Sequence, residues 1–280
     1  MQIILAKNIG FCAGLKRALS LTEESIKEKS KTCQVLGSLL HNEEVVAKLK
    51  KRGVKFIKSV RFAKRGTLII SAHGPGREDL SKISKKIKIV DATCLLVKKA
   101  QNLAKYPWRR GQKIVIIGDK NHSEVESIQS AINNEGIVIE NEKETRRIKL
   151  NKKSSLAVVA QTTQNPDRVE KILSILKRKY KKVDFYNTLC PFVLARQKEA
   201  KEIAKKADVM LVIGSKTSAN TKRLAEVSKE FQKNTYHIES SSQLNKAWIS
   251  KAKKVGIVAG TSTPDWIIKG VIKKLEVKTP

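Results

Sequence analysis

The chain has 280 residues and a net charge of +32, from 58 Lys and Arg against 26 Asp and Glu. Hydrophobic residues make up 40% of it, and no apolar run approaches the roughly 20 residues of a membrane span, so the composition predicts a globular protein that is located in the cytoplasm and does not enter a membrane. The 4 cysteines are widely scattered, which is not typical of a disulfide framework and favours metal or redox chemistry.

The positive charge alone fits several partners: nucleic acid, an anionic membrane surface, an acidic protein or a phosphorylated substrate. The lysines are spread along the whole chain, which is also typical of solvated helix faces. Aromatic residues make up only 5%, so the stacking platforms of single-strand binders are not evident. We therefore expect no nucleic-acid partner, with a nucleic-acid-binding protein as the alternative from another functional class.

In chain order, the same set of elements occurs three times. After an N-terminal strand, each copy begins with a cysteine that opens a predicted helix, at residues 14–27, 95–106 and 191–206. An apolar strand ending in glycine follows, at 34–37, 114–118 and 209–214. A second short strand comes next, at 54–57, 137–139 and 235–238. A third apolar strand leads into a polar turn, at 68–74, 157–163 and 256–262.

The loop after the glycine-ending strand carries polar side chains at matching positions. His41, His122 and Ser218 stand four residues after Gly37, Gly118 and Gly214. Glu43, Glu124 and Asn220 stand six residues after the same glycines.

Alternation of strands and helices predicts parallel sheets, whose polar loops share the edge at the carboxyl ends of the strands. We expect an α/β fold of three domains related by pseudo-threefold symmetry, with small, mainly parallel sheets around a central cavity. The predicted domains are residues 13–94, 95–190 and 191–280, the last completed by the N-terminal strand within residues 1–12.

Three of the cysteines, Cys12, Cys94 and Cys190, occupy the same position in the three copies. Three converging thiolates indicate a metal site with an open coordination position. Zinc with three thiolate ligands fits this pattern, and so does an iron–sulfur cluster with three cysteine ligands. The chemistry of the residues leaves both open. Cys33 has no counterpart, and we expect it to be a small buried apolar side chain.

The remaining loop residues predict an anionic pocket. His41, His73 and His122 all fall on loops of the repeat, and Thr162, Thr163, Ser218, Asn220 and Ser262 add neutral donors at equivalent places. A diphosphate suits a lining with many donors and few carboxylates. Glu124 is the exception, and a carboxylate in such a pocket is costly unless it is protonated or transfers protons.

Several motifs together resemble one known family. They are Gly10-Phe11-Cys12-Ala13-Gly14, His41-Asn42, Ser71-Ala72-His73-Gly74, Asp91-Ala92-Thr93-Cys94, His122-Ser123-Glu124-Val125, Gln161-Thr162-Thr163, Asn187-Thr188-Leu189-Cys190 with Arg196-Gln197, and Ala259-Gly260-Thr261-Ser262-Thr263-Pro264. The sequence is similar in these motifs to the 4-hydroxy-3-methylbut-2-enyl diphosphate reductases, which perform the last step of the methylerythritol phosphate route to isoprenoids.

The resemblance implies three α/β domains around a [4Fe–4S] cluster with Cys12, Cys94 and Cys190 as ligands and the substrate hydroxyl on the fourth iron. It implies that the diphosphate is held by His41, His73, His122, Ser218, Asn220 and Ser262. It implies that Glu124, with Thr162 close by, delivers protons to the substrate hydroxyl. Two electrons and protons would remove water and yield isopentenyl and dimethylallyl diphosphate.

The sequence departs from the usual family pattern at a few positions. The family has Ser-Ser-Asn where this chain has Ser218-Ala219-Asn220, so one hydroxyl toward the diphosphate is missing. Leu95 and Ser123 replace prolines, and the stretch from Pro191 to Leu194 also differs. We expect these changes to affect affinity and efficiency rather than the type of reaction.

Two further expectations concern function. Within enzymes, a zinc hydrolase that uses the same three cysteines is the alternative to the reductase. The basic surface predicts an acidic electron donor, such as a ferredoxin or a flavodoxin, because exposed charge mainly accelerates association.

Overall fold

Short strands separated by helices dominate the fold of the computed structural model, which describes residues 1–28 and 32–276. The strands within these residues are β1 (Gln2–Leu5), β2 (Cys33–Leu36), β3 (Lys55–Ile57), β4 (Gly66–Ile70), β5 (Ile87–Asp91), β6 (Lys113–Ile117), β7 (Ile137–Ile139), β8 (Ser155–Ala160), β9 (Lys182–Phe185), β10 (Val209–Ile213), β11 (Thr235–Ile238) and β12 (Lys254–Ala259).

Helices follow most of the strands. They are α1 (Ala13–Lys27), α2 (Glu43–Lys51), α3 (Leu95–Arg109), α4 (Ser123–Ala131), α5 (Glu142–Arg147), α6 (Pro166–Lys179), α7 (Pro191–Ala204), α8 (Ala219–Phe231), α9 (Lys246–Ile249) and α10 (Asp265–Glu276). Short 3₁₀ turns lie at Val60–Phe62, Leu80–Lys82 and Ser241–Gln243. Among the residues that the structure describes, no helix has the length and apolar character needed to cross a membrane.

The strands form three four-stranded sheets, in the orders β1-β12-β10-β11, β3-β2-β4-β5 and β7-β6-β8-β9. Every pairing within them is parallel. The predicted α/β class with three small parallel sheets is therefore confirmed. When the strands of each copy of the repeat are numbered in chain order, each sheet has its strands in the order second, first, third, fourth. In the third copy, β1 takes the position of the fourth strand, beside β12.

The chain divides into two compact units. The first unit contains residues 1–16, 41–47 and 191–280 and holds the sheet of β1 and β10–β12. The second unit contains residues 17–40 and 48–190 and holds the other two sheets. The division into three domains stays a prediction, and residues 29–31 and 277–280 of its spans lie outside the described residues.

Buried central strands go with helices on both faces in the sheets built around β10 and β6. In β10, Leu211 packs into an apolar cluster with Ile267 and Val271 of α10. The next residue, Val212, packs on the opposite face with Ile203 of α7. Because successive side chains of a strand point to opposite faces, a strand covered on both sides needs a continuous apolar run, which β10 has.

The same arrangement holds in the second unit around β6. Val115 packs with α6 through Ile172. Ile116 packs on the other face with α3 and α4, through Ala104 and Ile128. In these two sheets the helices on both faces leave the loops at the carboxyl ends of the strands as the polar edge, which is where parallel sheets carry their sites.

Helix α3 is longer than its pattern predicts, because it continues past Tyr106 through Pro107 to Arg109. A proline inside a helix removes one backbone donor. Here the loss falls in the last turn, and the carbonyl of Pro107 accepts the N–H groups of Arg110 and Gln112, which close the helix end.

Candidate functional site

The three repeat-equivalent cysteines all stand immediately before a helix. Cys12 precedes α1, Cys94 is the N-cap residue of α3, and Cys190 precedes α7. None of the three takes part in a disulfide, and all three side chains are partly exposed. The N-terminal end of a helix carries a partial positive charge, so this position suits a thiolate ligand. The donor set fits a metal ion or an iron–sulfur cluster with three protein ligands.

One backbone hydrogen bond is repeated at each cysteine and ties it to the polar turn of its own sheet. The amide donates to the carbonyl of the second residue in that turn. The pairs are Cys12 N to Thr261 O at 3.2 Å, Cys94 N to Ala72 O at 3.0 Å, and Cys190 N to Thr162 O at 2.9 Å. The inference that the three copies share one local design is thus supported at the level of single hydrogen bonds.

Cys33 differs from these three. It begins β2, is 5% exposed, and lies at the end of the strand that is opposite to the polar loop. Burial raises the pKa of its thiol. A buried, neutral thiol at that place agrees with the expectation that Cys33 is a packing residue.

Glu124 is the most unusual ionisable group of the second unit, because it is 1% exposed. Its Oε1 accepts the amide N–H of Thr162 at 2.6 Å, and its Oε2 accepts the Thr162 hydroxyl at 2.9 Å. Burial raises the pKa of Glu124 to about 7, against the opposing effect of the two Thr162 hydrogen bonds, and the negative charge of Asp119 adds to the rise. Near neutral pH this carboxyl group can therefore both hold and release a proton.

Thr162 connects Glu124 to the third cysteine. Its amide and hydroxyl face the carboxylate, and its carbonyl accepts the amide of Cys190. A single residue thus fixes the position of the carboxyl group relative to the Cys190 turn.

His122 begins the helix that carries Glu124. Its Nδ1 accepts the amide of Glu124 at 3.1 Å, so the neutral ring has its hydrogen on Nε2. The ring of His73 meets the ring of His122 edge to face, with 5.5 Å between the centroids. The second unit therefore brings together two residues that are predicted to bind the diphosphate.

The loop with His73 is fixed against α4 by a residue that the sequence did not single out. Ser127 Oγ accepts the amide of Gly76 at 2.8 Å. Gly74 has a φ of +90°, and a side chain there would lie 2.6 Å from Ser127 Oγ. The close approach explains the glycine that follows His73.

The first unit contains the remaining predicted polar residues. Ser218 is the N-cap residue of α8 and accepts the amide of Thr221 at 3.4 Å. Asn220 is 3% exposed, and neither its side-chain nitrogen nor its side-chain oxygen has a hydrogen-bond partner among the described residues. Buried amides are rarely left unsatisfied, so the position of Asn220 favours an external ligand. Ala219, between the two, is buried and offers no hydroxyl.

Ser262 and His41 are in contact in the first unit. The Ser262 hydroxyl donates to the carbonyl of His41 at 3.1 Å. Burial lowers the pKa of His41, and the positive charge of Lys222 lowers it further. His41 is thus neutral near pH 7, and a neutral imidazole keeps one N–H donor.

The predicted site residues are divided between the two units. The second unit holds His73, Cys94, His122, Glu124, Thr162 and Cys190, and the first unit holds Cys12, His41, Ser218, Asn220 and Ser262. The contacts among them each lie within one unit: Glu124 with Thr162 and with His122, Thr162 with Cys190, His73 with His122, and His41 with Ser262.

Two residues of α7 that the motifs do not assign to the site, Arg196 and Glu199, hydrogen-bond residues 7, 8 and 10 in the segment before Cys12. The structure buries Arg196, which is 7% exposed, on the same face of α7 as Val193 and Ala200. An arginine in the apolar stripe of a helix was the available signal.

Comparison with known proteins identifies the family. A family model described as "LytB protein" matches residues 3–276. The protein named 4-hydroxy-3-methylbut-2-enyl diphosphate reductase from Geotalea daltonii is 42% identical to this chain over 277 residues, covering 99% of this chain and 97% of the relative. The protein of that name from Campylobacter jejuni subsp. doylei is 42% identical over 279 residues, covering 99% and 98%.

Two solved structures are also similar. One is described as (E)-4-hydroxy-3-methyl-but-2-enyl diphosphate reductase, the terminal enzyme of the non-mevalonate pathway, with 38% identity, a TM-score of 0.69 and coverage of 99% of this chain and 100% of that one. The other is the E-1-hydroxy-2-methyl-but-2-enyl-4-diphosphate reductase of Plasmodium falciparum, with 28% identity, a TM-score of 0.91 and coverage of 100% and 88%. The family that the motifs predicted is confirmed: this chain belongs to the LytB family of 4-hydroxy-3-methylbut-2-enyl diphosphate reductases.

Proposed function

We propose that this protein reductively removes the hydroxyl group of 4-hydroxy-3-methylbut-2-enyl diphosphate, the last step of the non-mevalonate route to isoprenoids. Two electrons and two protons are consumed, the C–O bond breaks, and the products are water and isopentenyl or dimethylallyl diphosphate. The observation that carries this proposal is the buried Glu124 carboxyl group, whose pKa of about 7 lets it supply a proton at neutral pH.

Cys12, Cys94 and Cys190 are the residues that would hold a [4Fe–4S] cluster. The support is their chemistry: three partly exposed cysteine side chains outside any disulfide, each at a helix start and each with the same backbone hydrogen bond to a polar turn. Such a cluster supplies electrons and one iron that keeps an open coordination position.

The diphosphate is proposed to bind His41, His73, His122, Ser218, Asn220 and Ser262. His122 offers its Nε2–H because Nδ1 is already bonded to a backbone amide. Asn220 offers a buried amide without a partner among the residues described. Neutral donors of this kind bind an anion without the desolvation penalty that buried charges carry.

Glu124 and Thr162 are proposed as the catalytic pair for proton delivery. When Glu124 is ionised, the Thr162 hydroxyl donates to Oε2. When Oε2 is protonated, it donates to the same hydroxyl, which frees the Thr162 hydrogen for the departing oxygen of the substrate. The proton thus reaches the leaving group through one hydroxyl, and Glu124 returns to the ionised form.

The electron donor is proposed to be an acidic protein such as a ferredoxin or a flavodoxin, in the cytoplasm. The support is the net charge of +32, which accelerates association with an acidic partner and is screened by salt. Electron transfer from such a donor should slow steeply with ionic strength, whereas reduction by a small neutral reductant should change little. Tight DNA binding at physiological salt, with an affinity whose salt dependence indicates the release of several counterions, would favour a nucleic-acid partner instead.

Anaerobic purification followed by metal analysis tests the function directly. A brown protein that contains iron and acid-labile sulfide, and that converts the substrate to the two products with a chemical reductant, is the expected result. A colourless protein with stoichiometric zinc and no reductase activity would overturn the proposal in favour of a zinc enzyme.

A further inference from the structure

The segment that carries Cys12 is an irregular loop between β1 and α1, which we call the Cys12 loop (residues 6–12). An irregular loop has to be held by side chains or by a ligand if one of its residues is to occupy a fixed place. Helix α7, which belongs to the same compact unit, supplies side-chain bonds of this kind.

Arg196 on α7 joins the loop to the sheet. Its Nη2 donates to the carbonyl of Gly10 at 2.8 Å, and its Nη1 donates to the carbonyl of Ala259 at 3.1 Å. Ala259 ends β12, and the turn that follows contains Thr261, the residue whose carbonyl accepts the amide of Cys12. One planar guanidinium therefore sets the spacing between the loop and the strand end beside it.

Glu199 holds the beginning of the same loop. One carboxylate oxygen accepts the amide of Lys7 at 2.5 Å, and the other accepts the amide of Asn8 at 3.0 Å and its side-chain nitrogen at 3.2 Å. Glu199 stands three residues after Arg196, so both side chains project from neighbouring positions on one face of α7. Together they bond the backbone of Lys7, Asn8 and Gly10.

The energetics indicate that these bonds serve position rather than stability alone. A buried guanidinium is costly to desolvate, and an apolar side chain would fill the site on α7 at lower cost. Gly10 adds to the constraint, since its φ of +80° and the nearby Asp265 carboxylate leave no room for another residue.

We propose that Arg196 and Glu199 are positioning residues that keep the Cys12 loop in its ligand-ready shape before any cluster is present. The inference rests on the proposed role of Cys12 as a cluster ligand. A loop that is already ordered does not have to be ordered when the cluster assembles, which favours both the loading and the retention of the cluster.

The test compares Arg196→Lys and Glu199→Gln with the unchanged protein. Lysine keeps the charge but cannot place two N–H groups on two carbonyls, and glutamine turns one acceptor oxygen into a donor. In the cluster-free protein, mass spectrometry follows the alkylation rate of each cysteine. We expect Cys12 to react about 10- to 100-fold faster in both variants, the factor expected for losing hydrogen bonds to a charged group, with Cys94 and Cys190 within about twofold of the original rates.

Reconstitution with iron and sulfide provides the second measurement. The two variants should retain less iron per chain and show an altered electron paramagnetic resonance spectrum of the reduced cluster. Lys198→Met and Glu202→Gln, at exposed positions of the same helix, are the matched controls and should behave like the original protein in both measurements.

Each result decides for or against the positioning role. Unchanged Cys12 alkylation in both variants would overturn it, and so would an equal increase at all three cysteines, which indicates general loosening of the fold. If the original protein takes up no iron and sulfide, the proposed function fails, yet the alkylation rates still report whether α7 holds the Cys12 loop.

Discussion

The loops that carry Glu43 and Glu124 occupy the same place in two copies of the repeat but have different structures. In the first copy, the Asn42 side chain accepts the amide of Val45 at 3.1 Å, and α2 begins at Glu43, which is exposed. In the second copy, His122 itself is the N-cap residue, α4 begins at Ser123, and Glu124 is buried. A shift of the helix start by one residue therefore separates a solvent-facing acid from a buried one.

The two loops thus differ both in the capping residue and in the burial of the acid, and the burial changes the chemistry available to the loop. A carboxylate in the first turn of a helix is ordinarily stabilised as an anion. In the second copy, burial outweighs that effect and raises the pKa of Glu124 to about 7. The first copy has Ala72 where the second has Thr162, so it also lacks the hydroxyl that accompanies the carboxylate.

Removing the acid from each loop is the strongest test of this contrast. Glu124→Gln keeps the shape but cannot transfer a proton, and turnover should fall about 10²- to 10⁴-fold, the usual range for general acid–base groups. Cluster content and substrate binding should persist. Glu43→Gln is the matched control in the other loop and should leave turnover nearly unchanged, as steady-state kinetics can establish. The opposite pattern would mean that the proton comes from the first loop.

The buried acid should also make folding stability depend on pH. The pKa of Glu124 is raised from 4.5 to about 7, so the folded state binds this proton more tightly than the unfolded chain does. The stabilisation is complete below about pH 4.5 and is lost as the pH rises through about 7. It amounts to about 3 kcal/mol, since one pKa unit corresponds to about 1.4 kcal/mol.

Denaturant unfolding between pH 5 and 8 measures this effect under anaerobic conditions. The free energy of unfolding of the original protein should fall as the pH rises, compared with that of Glu124→Gln. The original protein and Glu43→Gln should show the same pH dependence. A parallel pH dependence in all three proteins would argue against a raised pKa at Glu124.

The hydroxyl of Thr162 can be tested separately from its backbone. Thr162→Val keeps the amide bond to Glu124 and removes the hydroxyl bond, which favours the ionised carboxylate. The pKa of Glu124 should rise further, and turnover should fall about 10- to 100-fold, the factor for one hydrogen bond to a charged group. The pH profile of kcat distinguishes this from a structural effect, because its midpoint should move to higher pH. A lower kcat with an unmoved midpoint would contradict the role of the hydroxyl.

The third copy of the loop offers the smallest change. Ala219 stands beside the buried Asn220 at the first position of α8. Ala219→Ser adds a hydroxyl donor, and we expect about tenfold tighter binding of diphosphate, the lower end for a hydrogen bond to a charged ligand. Calorimetric titration with inorganic diphosphate measures it. An unchanged affinity would show that the missing hydroxyl does not matter in this protein.

Sequence reasoning predicted the repeated elements well, because apolar runs and the glycines that end them mark the strands directly. The polar turns and the three cysteines were placed correctly at strand ends for the same reason. The predicted end of α3 at Tyr106 is too early, because the last helical turn accommodates Pro107 and the helix ends at Arg109. Local patterns carry this level of information.

Burial within the loops was not predictable from spacing. Glu43 and Glu124 stand at the same distance from a glycine, and the spacing gives no reason to bury one of them. The capping residue, Asn42 in one loop and His122 in the other, differs together with the burial. Arg196 was missed for a related reason, since its role depends on carbonyls of Gly10 and Ala259 that are far away in sequence.

A direct titration of the Glu124 carboxyl group tests the central claim, that the second loop holds a protonatable acid at neutral pH. Infrared difference spectra of the original protein against Glu124→Gln report the carbonyl stretch of a protonated carboxyl group as a function of pH. We predict a band that disappears with a midpoint near pH 7, remains in Glu43→Gln and is absent from Glu124→Gln. A Glu124 that is already ionised at pH 5 would contradict the account.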